Sequence, residues 1–310
     1  MNQKERFLLK SKRFEIGSNT WKSYNNSLTK FYDKFDLYDE DFKKINSDDI
    51  EDWIDGMDYK LSTINVIIEH SKEFCAYLKK KNLIDYNYFD AISKFGYKDI
   101  MQDSKKKYIP SKEEVKMLIL RSGIREKENV NTFDFYGSRD QCILQLLASQ
   151  GLRKNIIREM RMSDIKKNDD YVVIEIDSSR TKAKIDHRIV FGGKTMKLFN
   201  RYLKARENHG IDSEHVFTSI RGNKLNSSDI TDLFNKAVRK ANIKVEEGVQ
   251  LSPHNLRHFT ASMLVNNNEN DILIKGIMNW NIDHNDMRQR YSNHAEMYDE
   301  EKVRATSFLD

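Results

Sequence analysis

Proline stands at only two of 310 positions, 110 and 253, so almost nothing in the chain forbids long helices. Both prolines fall where a helix is expected to begin. The stretch Asp103-Ser104-Lys105-Lys106-Lys107-Tyr108-Ile109-Pro110 has no apolar periodicity before Tyr108, and Pro110 disfavours helix in the residue before it. Ser111-x-x-Glu114 then reads as a capping box opening a new helix. The chain is therefore expected to divide into a helical domain over 1–103, a linker over 104–110 and a second domain over 111–310, and 310 residues suffice for two separate cores.

In the first part, Thr20–Phe35, Ser47–Asp55, Ser62–Lys80 and Tyr86–Phe95 read as four helices, with Ile64, Val66, Ile67, Phe74, Ala76 and Leu78 forming the apolar face of the third. In the second part, Gly137–Gln150 places Ile143, Leu144, Leu146 and Leu147 on a core face. Tyr171–Ile176 and Arg188–Phe191 read as strands, joined through the polar turn Ser178-Ser179-Arg180-Thr181-Lys182-Ala183-Lys184. The expected class is mainly α with a small antiparallel β-sheet.

Composition narrows the field without naming a function. The net charge of +5 comes from 53 basic and 48 acidic side chains, which is only a mild pointer to nucleic acid. Residues 1–107 carry 20 basic against 19 acidic side chains, so any DNA contact there depends on how the charges are arranged. Cys75 and Cys142 lie far apart and lack His partners at metal spacing, which fits buried apolar thiols in a reducing compartment. The sequence has no apolar stretch of about 18 residues and no signal-peptide core, so no membrane association is expected and the expected compartment is the cytoplasm.

The chemistry is carried by a few positions. Pro253 suits a first helical turn, and His254 and Arg257, three apart, share one face where they can converge on one anion. A further arginine follows a glycine in Gly151-Leu152-Arg153, and a tyrosine lies in the basic context Arg288, Arg290, Tyr291. Taken singly, each has a plainer reading: a surface arginine, a helix-start histidine, one of 14 tyrosines. Together, two arginines, a histidine and a tyrosine are what phosphoryl transfer through a covalent protein intermediate requires.

In order and spacing this constellation resembles the tyrosine recombinase (phage-integrase) family. Gln150-Gly151-Leu152-Arg153 matches the family's first arginine turn, His254-x-x-Arg257 its His-x-x-Arg box, Trp280 its histidine-or-tryptophan position and Tyr291 its nucleophile. The resemblance implies a helical (SAM-like) core-binding domain followed by a catalytic domain. It also implies a lysine on the hairpin turn, for which Lys182 is the first choice and Lys184 the second. Tyr291 would attack the scissile phosphate to give a 3′-phosphotyrosyl enzyme. Arg153 and Arg257 would hold the non-bridging oxygens, with His254 and Trp280 assisting, and Lys182 would protonate the leaving 5′-oxygen. No cofactor and no metal are expected, and no P-loop or paired carboxylate cluster is present in the sequence.

The implied partner is double-stranded DNA carrying specific recombination sites, bound by a homo-oligomer growing from dimer to tetramer in the nucleoid. The tail, 296–310, can fold back on its own domain or dock into a neighbour's, and the resemblance implies cyclic exchange between protomers. A type IB topoisomerase, a hairpin telomere resolvase and an inactive DNA-binding relative are the alternatives. Two positions depart from the pattern. Ile156 stands where an acidic residue commonly follows the first arginine, leaving Glu159 as the nearest substitute, and Tyr291 lies eleven positions after Trp280, a longer gap than usual.

Overall fold

The computed structural model describes residues 1–10, 18–96, 98–100, 108–124, 130–181, 186–246, 249, 251–279 and 295–310. Two compact units, 1–106 and 107–310, make up the chain.

The first unit is a helical bundle of α1 (Gln3–Lys10), α2 (Asn19–Phe35), α3 (Ser47–Asp55) and α4 (Leu61–Lys80). Local signals set the helix starts. The Ser18 side chain accepts from Trp21 N at α2, and Asn46 and Asp49 cap one another at α3. Its core is aromatic: Phe31 meets Phe74 and Phe89 edge-on, with centroids 6.4 and 5.8 Å away.

Two sequence expectations fail in this unit. Tyr86–Phe95 forms turns, not a helix. There Asn87 accepts from Phe89 N and donates to Lys72 O, and the Tyr88 hydroxyl donates to Phe42 O at 2.6 Å. The segment's apolar side chains thus plug the bundle instead of lining one helix face. On α4, Val66 and Ala76 face outward, and Ile68 and Cys75 take the core positions.

The second unit is built around the long helix α6 (Val130–Ser149), which packs against α5 (Lys112–Ser122), α8 (Gly193–Asn208) and α10 (Pro253–Asn266). Ile143, Leu144, Leu146 and Leu147 are fully buried along it. The remaining helices are α7 (Lys154–Glu159), α9 (Ser227–Ala241), α11 (Asp271–Met278) and α12 (Ala295–Thr306).

Three strands form one antiparallel sheet in the order β1 (Ile165–Lys167), β2 (Tyr171–Ile176), β3 (His187–Gly192). Its register pairs Ile165 with Ile174 and Ile176 with His187. β3 thus begins one residue earlier than expected, which puts His187 in the strand. Cys75 and Cys142 are buried free thiols. No helix among the described residues is long and apolar enough to cross a membrane.

In the single chain, α12 lies on its own domain. The Arg188 guanidinium on β3 donates to both carboxylate oxygens of Asp299 on α12, which is 1% exposed. Phe308 meets Phe259 edge-on at 5.8 Å, and Leu309 is buried in the main core. An apolar patch plus a partly buried bidentate ion pair makes this docking face specific to β3.

Candidate active site

The turn that carries Arg153 is shaped by Gly151, whose φ of +57° lies in the left-handed region. A Cβ there would meet Met278 Sδ at 2.7 Å and Thr260 Cβ at 3.2 Å, so glycine is required both for conformation and for space. The turn buries Leu152 and sends Arg153 to the surface at the N-cap of α7.

Arg257 sits one turn into α10. The start of that helix is held by Asn255, whose Oδ1 accepts from Ser252 N at 2.8 Å and whose Nδ2 donates to Tyr108 O at 2.7 Å. The Arg257 guanidinium is 4% exposed and donates to the carbonyls of Gly151 and Met278. These bonds tie the arginine turn, the His-x-x-Arg helix and the end of α11 together through one side chain. Burial, and then the charge of Arg153, pull the Arg257 pKa down to about 10. Two guanidinium groups from distant parts of the sequence are therefore close enough to repel, an arrangement suited to an anion between them.

Arg153 Nη1 reaches Asn279 O at 3.4 Å, a long contact. The carbonyls of Met278 and Asn279, at the left-handed end of α11, thus serve one arginine each. His254 is exposed at the start of α10, its ring edge-on to His258 with centroids 4.7 Å apart. Trp280, Tyr291, Lys182 and Lys184 lie outside the described residues. Their flanks are described: Asn279 precedes the tryptophan, α12 follows the tyrosine segment, and β3 follows the lysine turn.

Glu159 does not support Arg153. Both its carboxylate oxygens accept from Lys224 Nζ at 2.8 Å. Sequence reasoning missed three residues here. Arg180, in the hairpin turn, forms a bidentate pair with Asp164 at 2.8 and 2.7 Å and donates to Glu159 O, anchoring the base of the lysine turn.

His187 and Lys302 are buried titratable groups, the first within reach of the charges of Arg153 and Arg257 and the second of those of Asp299 and Arg188. Burial, followed by the charges of Lys302, Arg257 and Arg153, pushes the His187 pKa down to about 3. Burial lowers the Lys302 pKa to about 8, against the opposing pull of Asp299. A buried cation-rich cluster of this kind favours a bound anion. Among the described residues no group of three or more His, Cys, Asp or Glu side chains is placed to hold a metal ion.

Comparison with known proteins agrees with this geometry. Residues 124–297, more than half the chain, match the model of the phage integrase family. A tyrosine recombinase of Agathobacter rectalis is 26% identical over 263 residues, covering 84% of this chain and 80% of its own. The tyrosine recombinase XerC of Oceanobacillus iheyensis is 30% identical over 135 residues, 42% of this chain and 41% of that protein.

Among solved structures, the fold matches XerH site-specific recombinase bound to a palindromic difH substrate, with a TM-score of 0.70 at 16% identity over 96% of this chain and 83% of that one. It also matches a lambda integrase dimer bound to a COC′ core site, with a TM-score of 0.68 at 15% identity over 92% and 96%. A mainly helical fold with one small antiparallel sheet, two convergent arginines and a family match across the residues that carry them place this chain in the phage integrase family of tyrosine recombinases.

Proposed function

We propose that this protein is a site-specific DNA recombinase that cuts and rejoins DNA through a 3′-phosphotyrosyl intermediate. The observation that supports it most is the pairing of Arg153 with a buried Arg257 whose orientation is set by two backbone carbonyls. In this reading the two guanidinium groups take the non-bridging oxygens and stabilise the charge of the pentavalent transition state, contributions worth about 10²–10³ in rate per donor.

The Tyr291 oxygen attacks phosphorus and its proton passes to His254, while Trp280 donates a further N–H to the phosphate. The P–O5′ bond breaks, and Lys182 supplies the proton that the departing 5′-oxygen takes up. The phosphodiester's energy is kept in the protein–DNA bond, so a second 5′-hydroxyl reverses the step with a new partner, and neither ATP nor a metal is needed for the atoms to balance.

Residues 1–103 serve as the core-binding domain, joined by 104–110 to the catalytic domain at 111–310. The lambda integrase relatives are a dimer on a core site and a tetramer on a Holliday junction, which supports dimer-to-tetramer assembly on DNA here too. The chain acts on DNA in the cytoplasm, at the nucleoid.

A nicked suicide duplex tests the chemistry on denaturing gels. Wild type is expected to form a covalent adduct, and Tyr291→Phe none, with DNA affinity nearly unchanged because binding comes from many phosphate contacts. An adduct persisting in Tyr291→Phe would transfer the nucleophile to another tyrosine, such as Tyr298. A bridging 5′-phosphorothiolate, whose thiolate leaves unprotonated, should rescue Lys182→Ala. Rescue of Lys184→Ala instead would move the general acid by two residues.

A further inference from the structure

The chain leading into Lys182 is tied down by a network of short contacts. Arg180 closes a bidentate pair on Asp164 at 2.8 and 2.7 Å, and its Nη1 also donates to Glu159 O at 2.9 Å. Asp164 is 8% exposed and accepts from Arg161 N at 2.8 Å, so the carboxylate is itself fixed. Thr181 is buried, and its N–H and hydroxyl both donate to Ser178 O at 3.1 Å. Ser178 N in turn donates to Asp186 Oδ1 at 2.7 Å, joining the two sides of the lysine segment.

This clamp links two parts of the proposed chemistry. Glu159 ends α7, and Arg153 is the N-cap of that helix. A helix of this length spans about 9 Å, so one guanidinium sets the spacing between Arg153 and the chain that enters the lysine segment. Lys182 lies outside the described residues, but two peptide units keep its Cα within about 7.6 Å of the Arg180 Cα, and four allow Lys184 roughly twice that. A fixed Arg180 therefore restricts Lys182 more than Lys184. A general acid on a long flexible stem gains from such restriction, because it must come within hydrogen-bond reach of the leaving oxygen. Arg180 is poorly placed to bind phosphate itself, since both its terminal nitrogens are spent on protein oxygens.

We propose that Arg180 is a positioning residue for leaving-group protonation: held by Asp164 and Glu159 O, it registers the lysine segment against α7 so that the Lys182 ammonium meets the 5′-oxygen. The inference rests on the recombinase reading above. As the P–O5′ bond breaks, the ammonium gives up one proton and the oxygen takes it up, while Arg180 keeps all of its own. Arginine suits this task because its planar fork fixes two directions at once, whereas a lysine offers one point charge.

Single-turnover cleavage by the full chain on two nicked suicide duplexes tests it. Both carry the site that the wild-type protein enriches from random-sequence DNA. One has an ordinary scissile phosphodiester, and the other a bridging 5′-phosphorothiolate, whose thiolate leaves without a proton. Arg180→Met should cleave the first about 10–100-fold more slowly, less than the 10²–10⁴ of a general acid lost outright. It should cleave the second at the wild-type rate, with DNA affinity unchanged. In a Lys182→Ala background Arg180→Met should cost nothing more, because the two changes remove one function.

Arg180→Met leaves the Asp164 carboxylate buried without its partner, which threatens folding. The double variant Arg180→Met/Asp164→Asn removes both charges, keeps an acceptor for Arg161 N, and should show the same rescue by sulfur. Equal slowing of folded variants on both duplexes would reduce the clamp to a support of the fold and overturn the proposal. Wild-type cleavage of the phosphodiester by Arg180→Met or by Lys182→Ala, or multiplying losses when the two are combined, would overturn it as well. In each of those cases the wild-type adduct, and with it the recombinase chemistry, still stands. A wild-type protein that forms no adduct on either duplex would overturn that chemistry and the proposal together.

Discussion

Replacing Gly151 with alanine should damage both stability and chemistry, and Gly210 supplies a matched control. Both glycines are left-handed, with φ of +57° and +61°, but a Cβ at Gly210 meets nothing within 4 Å. Gly210→Ala therefore bears only the backbone cost of an L-residue in that region, about 1–2 kcal/mol. Gly151→Ala bears the same cost and adds contacts at 2.7 Å with Met278 Sδ and 3.2 Å with Thr260 Cβ. Met278 is fully buried and Thr260 is tied to Ala148 O and Leu256 O, so neither gives way freely. Overpacking of this kind costs about 1–3 kcal/mol more, for a total of about 2–5 kcal/mol.

At about 2–4 °C per kcal/mol for a unit of this size, Gly151→Ala should lower Tm by about 4–20 °C and Gly210→Ala by about 2–8 °C. Calorimetry on the two variants measures the difference. The extra strain falls on the two carbonyls that hold Arg257, those of Gly151 and Met278. Covalent adduct formation at a temperature where both variants are folded should therefore fall on the order of 10²-fold in Gly151→Ala, the scale for a misplacement of about 1 Å, and stay near wild type in Gly210→Ala. Equal Tm losses at the two glycines would refute the close-packing argument. A lowered Tm in Gly151→Ala with unchanged cleavage would show that the turn does not control Arg257.

Two further outcomes follow from the site's surroundings. Removing residues 296–310 takes away Asp299, Ala305 and Leu309 and uncovers β3, so the truncated chain should melt well below wild type without DNA, and Asp299→Asn should lose about 1.5–3 kcal/mol in urea denaturation; an unchanged melt of the truncated chain would show that the tail is not held in cis. The folded-state His187 pKa of about 3 lies well below the ordinary histidine value of 6.5, so below pH 6.5 the unfolded chain binds the extra proton, and stability should fall as pH drops from 6.5 towards 3. His187→Asn should flatten that part of the urea-midpoint profile, and an identical slope in both proteins would refute the assignment.

What could be read in the sequence was whatever short-range chemistry decides. The capping pair Ser111–Glu114 starts a helix wherever the rest of the chain goes, and the β-branched run Tyr171–Ile176 forms a strand with those bounds. Gly151 was likewise marked by its turn and its arginine neighbour. The misses share one cause. Tyr86–Phe95 carries enough apolar residues for a helix, but tertiary contacts of Asn87 and Tyr88 override the local tendency. Val66 and Ala76 were assigned inward on hydrophobicity, while the bundle's geometry turned a different stripe to the core.

His187 and Lys302 belong to the same class as those misses. One reads as a polar residue ending a turn and the other as a charge in a polar tail, and only the fold brings His187 within reach of charges at Arg153, Arg257 and Lys302, which stand 34, 70 and 115 positions away. A side chain that meets the substrate must have a particular chemistry, and spacing betrays it. A side chain that orients another need only offer an acceptor at the right point in space. Histidine, aspartate, glutamate or a backbone carbonyl can each do that from many places in the chain.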